Sequence, residues 1–482
     1  MELKDILILI VILVIALLMR LYKINTPLAD IHSWRQADTA AVARNYARDG
    51  IDLLHPRYDD LSSIESGIDN PNGYRMVEFP IYQAIVAVVY KTFPFLPIEV
   101  YGRLVSALFS LVIIAVIYCL LFWETGRLSA IVAAGVYAIF PFFVFFSRVV
   151  LPETTALAFS FAAIFFLYLT HVRGRGGATG KVFIYVSAVL FSLGVLVKPT
   201  VIFYLLPIVY LFFRKWGLAN TFKKISFYFY PLIVVIPLLI WRTYIQKYPE
   251  GIPANDWLFT HVNTYLGLQE IFFRPAFFRW IFFERLNNMI LGGFLSFFFI
   301  LGILRRNKSF FYYAFLVAAL IFLLTFQGGN VQHEYYQTII LPVVAIFIGL
   351  GADFLNRNSR QFNSPILTLT LTICVFALSF FFSYYRIREF YNYPSDLTAI
   401  SRVIRTLTKP EDRIITDRLG DTTLLYLSDR KGWPAYTSQA DELAKRGYRY
   451  LVTANKDLIN DYKSRPEWKL LFENGQFSIF AL

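Results

Sequence analysis

Long apolar runs alternate with short polar segments along most of this chain, and this pattern predicts most of its secondary structure. Runs of Phe, Leu, Ile and Val long enough to cross a bilayer as a helix occur about eleven times. They lie at about residues 5–22, 101–122, 129–147, 154–171, 182–197, 199–213, 225–243, 287–304, 309–326, 336–355 and 365–384. The pattern therefore predicts a polytopic α-helical membrane protein with about eleven transmembrane helices.

Basic residues predict the side of the membrane on which each polar segment lies, because short cytoplasmic loops carry an excess of Lys and Arg. Five basic segments separate the apolar runs: Arg127, 173–181, 214–224, 305–308 and 357–360. All five are cytoplasmic, together with the N-terminus, only if the apolar segment 81–93 does not cross the bilayer. That segment has about 13 residues, which is short for a crossing and favours an interfacial or re-entrant helix.

The same orientation predicts which polar segments lie outside the cytoplasm. They are a long first loop at about 23–100, then 147–153, Lys198-Pro199, 244–286, 327–336 and everything after Tyr385. The charged residues that look least like membrane anchors therefore all face one compartment. The chain is predicted to be an integral protein of the plasma (inner) membrane, with its C-terminal region extracytoplasmic.

After Asn392 the composition becomes that of a soluble domain. The pattern predicts strands at 412–416 and 448–454 and helices at 423–428 and 440–447. The last segment, 469–482, is typical of a hairpin with a turn at Asn474-Gly475. We therefore predict two domains, a transmembrane domain at 1–384 and a small extracytoplasmic α/β domain at 385–482.

Composition supports the membrane assignment and excludes other classes. The 482 residues are 57% hydrophobic and 18% aromatic, whereas soluble domains are about 45–50% apolar. The formal charge of +13 is explained by basic loops between membrane spans, so no nucleic-acid partner is predicted. Both cysteines, Cys119 and Cys374, fall inside apolar runs, which indicates neither a disulfide framework nor a thiolate metal site.

The first loop concentrates ionisable residues between Leu28 and Pro80, including Arg35 and Asp59. Ionisable groups at the level of a membrane are costly and indicate a functional site. Asp30, close to the predicted membrane exit, could take a proton from a sugar hydroxyl as a general base. Asp38 is a second candidate for a functional residue. For Asp38 the alternative is a structural role at the N-terminus of a helix, as an N-cap.

Further candidates lie at the predicted outer ends of apolar helices. Glu78 and Glu153 could line a site, or could only complement a helix dipole, and Arg148 lies five residues before Glu153. Lys198 could hold a lipid phosphate or extend its ammonium group to the interface. The tyrosines near residue 335 are typical of an aromatic belt. Three residues at that end could instead contact phosphate or sugar: His333, Glu334 and Tyr335.

Cofactor motifs are not found in the sequence. The histidines His32, His55 and His333 match no metal-binding spacing. External carboxylates could hold a divalent cation, and the sequence does not decide whether they do. No GxGxxG, Walker or Ser-His-Asp pattern occurs, so no nucleotide is predicted.

Several segments in a fixed order resemble the C-type (GT-C) membrane glycosyltransferases. They are the first loop with its early Asp, the amphipathic segment after it, RLVSALFSLVIIAVIY, SRVVLPE, GVLVKP and HEYYQTIILPVVA, which cover roughly residues 1–350. The resemblance is strongest to the dolichyl-phosphate-mannose-protein mannosyltransferase family and its bacterial relatives, which include the aminoarabinose transferases of lipid A.

The resemblance implies roles for particular residues. In that family an Asp of the first loop is the catalytic base and is usually followed by Glu, but here Ile31 follows Asp30, which leaves Asp38 as an alternative. Many relatives have Lys-Pro-Pro where this chain has Glu78-Phe79-Pro80. Binding of the leaving phosphate would then depend on Arg148, Lys198 and His333. By the same analogy, Glu153 takes the place of a site-lining Asp.

The predicted function is transfer of a monosaccharide from a polyprenyl-phosphate donor to an acceptor hydroxyl on the extracytoplasmic face, with inversion. The acceptor could be a glycan, a lipid or a protein, and membrane lipids are further partners. The alternative is a transporter or flippase of lipid-linked sugars. Transporters commonly contain internal repeats, and none is visible in this sequence. A membrane scaffold would not explain the polar first loop.

Overall fold

Apolar helices and a small mixed sheet are the main elements of the residues that the structure describes. The computed structural model describes residues 1–174, 177–253, 275–306, 309–359, 364–436 and 440–482. Three of the basic residues used to predict orientation, Arg175, Lys308 and Arg360, and the predicted outer residues 254–274, lie outside these ranges.

Two compact units are present. The helical unit comprises Met1–Ile24, Arg103–Arg242 and Asp256–Glu389, and the mixed unit comprises Asn25–Gly102, Thr243–Asn255 and Phe390–Leu482. The mixed unit therefore combines almost all of the predicted first loop with the C-terminal region. The proposed domain boundary at 384/385 stays a prediction.

Most helices belong to the helical unit. They are α1 (Leu3–Arg20), most of α4 (Ile98–Glu124), α5 (Arg127–Ile139), α6 (Pro141–Phe146), α7 (Glu153–His171), α8 (Gly177–Val197), α9 (Leu205–Trp216), α10 (Leu218–Thr221), α11 (Ile225–Ile245), α12 (Pro275–Phe278), α13 (Ser296–Leu304), α14 (Phe311–Thr325), α15 (Gln327–Gln332), α16 (Leu341–Arg357) and α17 (Pro365–Ile387). Short 3-10 helices precede α9 at Pro199–Tyr204 and α16 at Glu334–Ile340.

Six of the described helices are long and apolar enough to cross a membrane. They are Ile98–Glu124, Glu153–His171, Thr179–Val197, Ile225–Ile245, Glu334–Arg357 and Pro365–Leu407, which begins with α17. Three shorter apolar helices are Ile81–Thr92, Arg127–Ile139 and Phe311–Thr325. This is the helix content of an integral membrane protein. The total of about eleven spans and the orientation of the termini stay predictions.

Two of the predicted spans are interrupted. The run at 129–147 forms two helices because Pro141, which has no N–H and cannot continue the helix before it, begins α6. The run at 287–304 is α-helical only from Ser296. The α-helix α13 is preceded by a π-helix at Arg279–Ile290. Gly292 and Gly293, whose φ angles are +54° and +78°, lie between the two helices.

Glycines allow α13 and α16 to pack at very short range. A Cβ atom added to Gly302 would lie 1.9 Å from the carbonyl oxygen of Phe347, and one added to Gly351 would lie 1.9 Å from that of Phe298. Small residues permit this approach of helix backbones in membrane proteins. The two helices are therefore held together by backbone contact as well as by side chains.

A five-stranded sheet forms the centre of the mixed unit. Its strands are β1 (Arg413–Thr416), β2 (Gly432–Trp433), β3 (Tyr448–Thr453), β4 (Lys469–Glu473) and β5 (Ser478–Ala481), in the order β2-β1-β3-β5-β4. β1 is parallel to β2 and β3, whereas β5 is antiparallel to β3 and β4. The strands predicted at 412–416 and 448–454 and the terminal hairpin are confirmed.

Six of the described α-helices belong to the mixed unit together with this sheet. They are α2 (Ser33–Asp49), α3 (Ile81–Thr92), α18 (Ser395–Leu407), α19 (Thr423–Ser428), α20 (Ala440–Lys445) and α21 (Lys456–Lys463). The helices predicted at 423–428 and 440–447 are thereby confirmed. Hydrophobic residues between the sheet and these helices, such as Ile404, Ile414, Leu425 and Ile479, are fully buried.

The first loop adds a segment to the edge of the sheet. Asp60 forms a parallel bridge with Gly432 of β2. The N–H of Gly432 donates to the carbonyl oxygen of Asp59 at 2.9 Å, and the N–H of Leu61 donates to that of Gly432 at 2.9 Å. The edge strand β2 therefore finds a backbone partner in the first loop, which satisfies hydrogen-bonding groups that an open edge would leave exposed.

Candidate active site

Asp30 lies immediately before α2. His32, with φ +55° and ψ +35°, precedes the first helical residue, Ser33, and this left-handed conformation is uncommon outside glycine. Nε2 of Gln36 donates to Oδ1 of Asp30 at 2.7 Å and to the carbonyl oxygen of Ile31 at 3.0 Å. Gln36, in the first turn of α2, therefore holds the Asp30 carboxylate against the start of the helix.

Asp38 lies inside α2, so the prediction that it could be the N-cap of this helix is wrong. The helix begins five residues earlier because the polar sequence SWRQ is itself helical. The Asp38 carboxylate is buried; Oγ1 of Thr422 donates to it at 2.6 Å, and Nη2 of Arg75 lies 2.8 Å away. Burial raises its pKa to about 7, although Arg75 acts in the opposite direction.

Arg35 and Glu78, both predicted to bind substrate, form an ion pair with each other. Both side chains are buried. Arg75 also pairs with Glu65. Burial lowers the pKa of Arg75, but the negative charges of Asp38, Glu65 and Glu78 outweigh burial and raise it. Three carboxylates and two guanidinium groups thus form one network, in which all members except the partly exposed Glu65 are buried. Buried charges of this kind depend on every partner being present.

Asp59 belongs to a neighbouring cluster. Arg44 of α2 pairs with Asp59 and, at 3.1 Å, with Asp429. Nη1 of the same guanidinium donates to the carbonyl oxygen of Tyr426 at 2.8 Å, and the group lies 4.5 Å from the centre of the Tyr426 ring. Asp59 therefore contributes to joining α2 to the C-terminal region within the mixed unit.

In the helical unit, the structure brings together two of the predicted residues. Glu153 is the first residue of α7, and Lys198 lies between α8 and the 3-10 helix that precedes α9. Nζ of Lys198 lies 2.8 Å from Oε1 of Glu153 and 6.0 Å from the centre of the Tyr336 ring. Glu153 is 3% exposed and Lys198 only 13% exposed, so a buried carboxylate and a nearly buried ammonium group form one pair.

The segment 333–336 contributes the other predicted residues of this unit. The rings of His333 and Tyr335 are stacked, with centres 5.3 Å apart and planes 18° apart. Glu334 pairs with Arg285, which also donates to the carbonyl oxygen of Val331 at 3.1 Å. The Lys198 contact with Tyr336 brings this segment next to the Glu153–Lys198 pair.

Arg148 is buried in the turn between α6 and α7. Its Nη1 donates to the carbonyl oxygen of Tyr22 at 2.6 Å, and its guanidinium lies 5.8 Å from the centre of the Phe145 ring. The side chain thus contacts the chain just after α1.

Metal ligands are not grouped in the described ranges. Within them, no three His, Cys, Asp or Glu side chains lie in an arrangement that could hold a metal ion. The divalent cation that the sequence left open stays a prediction.

Sequence reasoning missed four residues that organise the candidate site. Gln36 binds Asp30, Thr422 and Arg75 bind Asp38, and Arg285 binds Glu334. Gln36 and Arg75 lie in the polar first loop, so the density of polar residues there was a usable signal. Thr422 and Arg285 have no distinguishing local pattern in the sequence.

Comparison with known proteins identifies the architecture. Residues 78–241 match the family described as dolichyl-phosphate-mannose-protein mannosyltransferase. The crystal structure of ArnT from Cupriavidus metallidurans bound to undecaprenyl phosphate is similar at a TM-score of 0.67 and 14% identity, over 98% of this chain and 97% of that one. The chain has the GT-C fold.

Archaeal structures share this GT-C fold. The oligosaccharyltransferase AglB from Archaeoglobus fulgidus, in complex with an inhibitory peptide and a dolichol-phosphate, is similar at a TM-score of 0.56 and 12% identity, over 94% of this chain and 69% of that one. The Archaeoglobus fulgidus oligosaccharyltransferase tethered to an acceptor peptide has a TM-score of 0.61 at 12% identity, over the same shares of both chains. A search of the curated proteins found no match.

The family match covers some of the candidate residues of this GT-C chain and leaves out others. It includes Glu78, Arg148, Glu153 and Lys198, but begins after Asp30 and Asp38. The part of the chain that contains the candidate base therefore lies outside the matched segment, and the choice between the two carboxylates rests on their surroundings in the structure.

Proposed function

We propose that this protein is a membrane glycosyltransferase that moves a monosaccharide from a polyprenyl-phosphate donor to an acceptor hydroxyl on the extracytoplasmic face of the plasma (inner) membrane. The observation that carries the proposal is the similarity in fold to ArnT bound to undecaprenyl phosphate, which extends over 98% of this chain and 97% of the other. A shared fold alone does not define a reaction, and the buried polar groups supply the further support.

Lys198 is the proposed ligand of the donor phosphate. An ammonium group has three N–H donors, and its compact positive charge suits a lipid phosphate. Glu153 would fix the position of Lys198, while Arg148 and His333 would add positive charge or hydrogen bonds. Each well-placed donor to the charge that develops on a leaving group is worth roughly 3 to 4 kcal/mol.

Asp30 is the proposed general base. Asp38 is held inside a buried network by Thr422 and Arg75, so moving it toward a substrate would break both contacts. The Asp30 carboxylate is also buried, in the turn before α2, where Gln36 orients it. It is the early Asp of the first loop on which the resemblance to the GT-C transferases rests. Asp38 is then assigned a positioning role, and these surroundings support Asp30 as the base.

The proposed reaction is a single displacement. Asp30 accepts the proton of the acceptor hydroxyl, and the hydroxyl oxygen forms a bond to the anomeric carbon as its bond to the phosphate oxygen breaks. The polyprenyl phosphate leaves with the bonding electron pair, and the anomeric configuration inverts. The donor already contains the energy required, so no nucleotide takes part.

The test compares Asp30→Asn with Asp38→Asn. The donor is first identified by mass spectrometry of lipids that co-purify with the protein, and transfer is then measured in membranes supplied with that donor. Loss of a general base lowers transfer by about 10²–10⁴-fold, so Asp30→Asn should lose transfer yet keep wild-type melting and donor binding. Asp38→Asn should lower the melting temperature together with transfer.

Two outcomes would overturn this assignment. Full transfer by Asp30→Asn, with a loss of transfer in a normally folded Asp38→Asn, would make Asp38 the base. Movement of the sugar lipid across the membrane without transfer by the wild-type protein would favour a transporter or flippase instead.

A further inference from the structure

A polar cavity of about 360 Å³ lies inside the mixed unit, apart from the proposed base. One wall comes from the first loop and the end of α2, including Asn45, Arg57 and Asn72, and the other comes from the C-terminal region around β1 and β2. Its volume falls within the range of about 300–1,000 Å³ that is usual for small-molecule sites. Its lining is largely polar, which suits a ligand with many hydroxyl groups.

The two walls of the cavity are fixed to each other. The bridge between Asp60 and Gly432 joins them through the backbone. Arg44 pairs with Asp59 on one wall and Asp429 on the other. The cavity is therefore a built feature of the sheet edge and is not a gap between loosely associated loops.

Positive charge predominates in the lining. Three acidic side chains, Asp59, Glu411 and Asp429, face five basic ones: Arg48, Arg57, Arg413, Arg430 and Lys431. Some of these charged side chains already form ion pairs within the protein. Arg48 pairs with Asp429, and Asp59 pairs with Arg44.

Arg430 is also committed to the protein. Its Nε donates to Oγ1 of Thr408 at 2.9 Å, and its Nη2 donates to the carbonyl oxygen of Thr408 at 2.7 Å. Nη1 donates to the carbonyl oxygen of Asp429 at 2.9 Å. Arg430 therefore shapes the cavity and is not available to a ligand.

Arg57, Arg413 and Lys431 are the cations that remain. Among the described residues, none of the three forms an ion pair, and neither does Glu411. Arg57 and Arg413 lie against tyrosine rings, with guanidinium carbons 5.6 Å from the centre of Tyr74 and 6.0 Å from that of Tyr448. Such packing restricts the side chains while leaving their N–H groups for a ligand, and guanidinium groups bind carboxylate and phosphate in a bidentate manner.

We propose that this cavity binds a saccharide bearing a carboxylate or phosphate group, held by Arg57, Arg413 and Lys431. The inference deepens the proposed function, on which it rests, by assigning an anionic glycan as the acceptor. It also gives the C-terminal region a role, because that region supplies two of the three cations.

The experiment measures binding to the full-length protein in detergent by isothermal titration calorimetry. The probes are glucuronic acid, glucose 6-phosphate, neutral glucose and inorganic phosphate. At least one of the anionic sugars should bind at least tenfold more tightly than glucose, and its affinity should fall as NaCl is raised because the contacts are ionic. Glucose 6-phosphate should also bind more tightly than inorganic phosphate, since the cavity would contact the sugar.

Substitutions test the site in both directions. Arg57→Gln combined with Arg413→Gln should weaken binding of the anionic sugar by tenfold or more. Glu411→Gln should strengthen it several-fold, because a carboxylate that repels the ligand is removed. Lys456→Gln, which removes an exposed positive charge from α21 of the same unit, is the matched control and should change affinity by less than twofold.

Several results would overturn the proposal. They are equal affinity for glucose and both anionic sugars, no binding of either anionic sugar, weaker binding after Glu411→Gln, or inorganic phosphate binding as tightly as its sugar ester. Binding is measured without transfer, so the two proposals can fail separately. Anionic sugar binding by a protein that transfers nothing would contradict the enzyme assignment alone.

Discussion

Asp60 provides a quantitative test of the electrostatics of the first loop. Its side chain is 1% exposed, Oδ1 accepts a hydrogen bond from the N–H of Ser62 at 2.7 Å, and Oδ2 accepts one from the Tyr58 hydroxyl at 3.4 Å. No ion pair to this carboxylate occurs in the described ranges. Burial, reinforced by the negative charge of Glu65, raises its pKa to about 7.

This shift makes the mixed unit less stable as the pH rises. The folded state retains the Asp60 proton up to about pH 7, whereas the unfolded chain loses it near the ordinary value of 3.8. The stabilising contribution is complete below about pH 4 and is lost as the pH rises through 7. At 1.36 kcal/mol per pKa unit, the loss between about pH 5 and pH 8 is on the order of 2 to 3 kcal/mol.

The assay compares melting temperatures of the wild-type protein and Asp60→Asn in detergent at pH 5 and pH 8. An asparagine oxygen can still accept from Ser62 but cannot ionise, so the variant should lose fewer degrees between the two pH values. Asp38 is present in both proteins and shifts stability in the same direction, so the comparison isolates Asp60. Asp49→Asn, at the exposed end of α2, should behave as wild type. Equal losses in wild type and Asp60→Asn would refute the argument.

Two further predictions concern the helical unit. Gly351→Ala should lower the melting temperature, because its Cβ would meet the Phe298 carbonyl oxygen at 1.9 Å and overpacking costs about 1–3 kcal/mol. Gly135→Ala is the control, since a Cβ at that position meets nothing within 4 Å. Equal destabilisation by both substitutions would contradict close contact between α13 and α16. Lys198→Met should destabilise the protein by about 3 kcal/mol or more by leaving the Glu153 carboxylate without this cation. Adding Glu153→Gln should recover most of that loss in the same melting assay, and a double variant as unstable as the single one would disprove the direct pairing.

The apolar runs located most helices to within a few residues, since burial of long hydrophobic segments dominates in membrane proteins. The run at 225–243 is α11 at Ile225–Ile245, and the run at 101–122 is α4 at Ile98–Glu124. The interruptions were not predicted. Hydropathy does not register the missing N–H of Pro141 or the positive φ angles of Gly292 and Gly293, which are properties of the backbone.

Candidate site residues were recognised by type, but their partners were not. A high density of charge marked the first loop, and this signal was sufficient to select Arg35, Asp38 and Glu78. Pairing depends on contacts between distant positions. Asp38 accepts from Thr422, 384 residues further along the chain, and one sequence alone carries no local pattern that links such positions.

The placement of Thr422 changes how the C-terminal region should be understood. Thr422 donates to Asp38, Gly432 bonds to the backbone of Asp59 and Leu61, and Arg44 binds the Tyr426 carbonyl oxygen. All three contacts attach the C-terminal region to α2 or to the segment just after it. Because α2 also carries Gln36, which orients the Asp30 carboxylate, the C-terminal region supports the proposed base indirectly by fixing the helix that positions it.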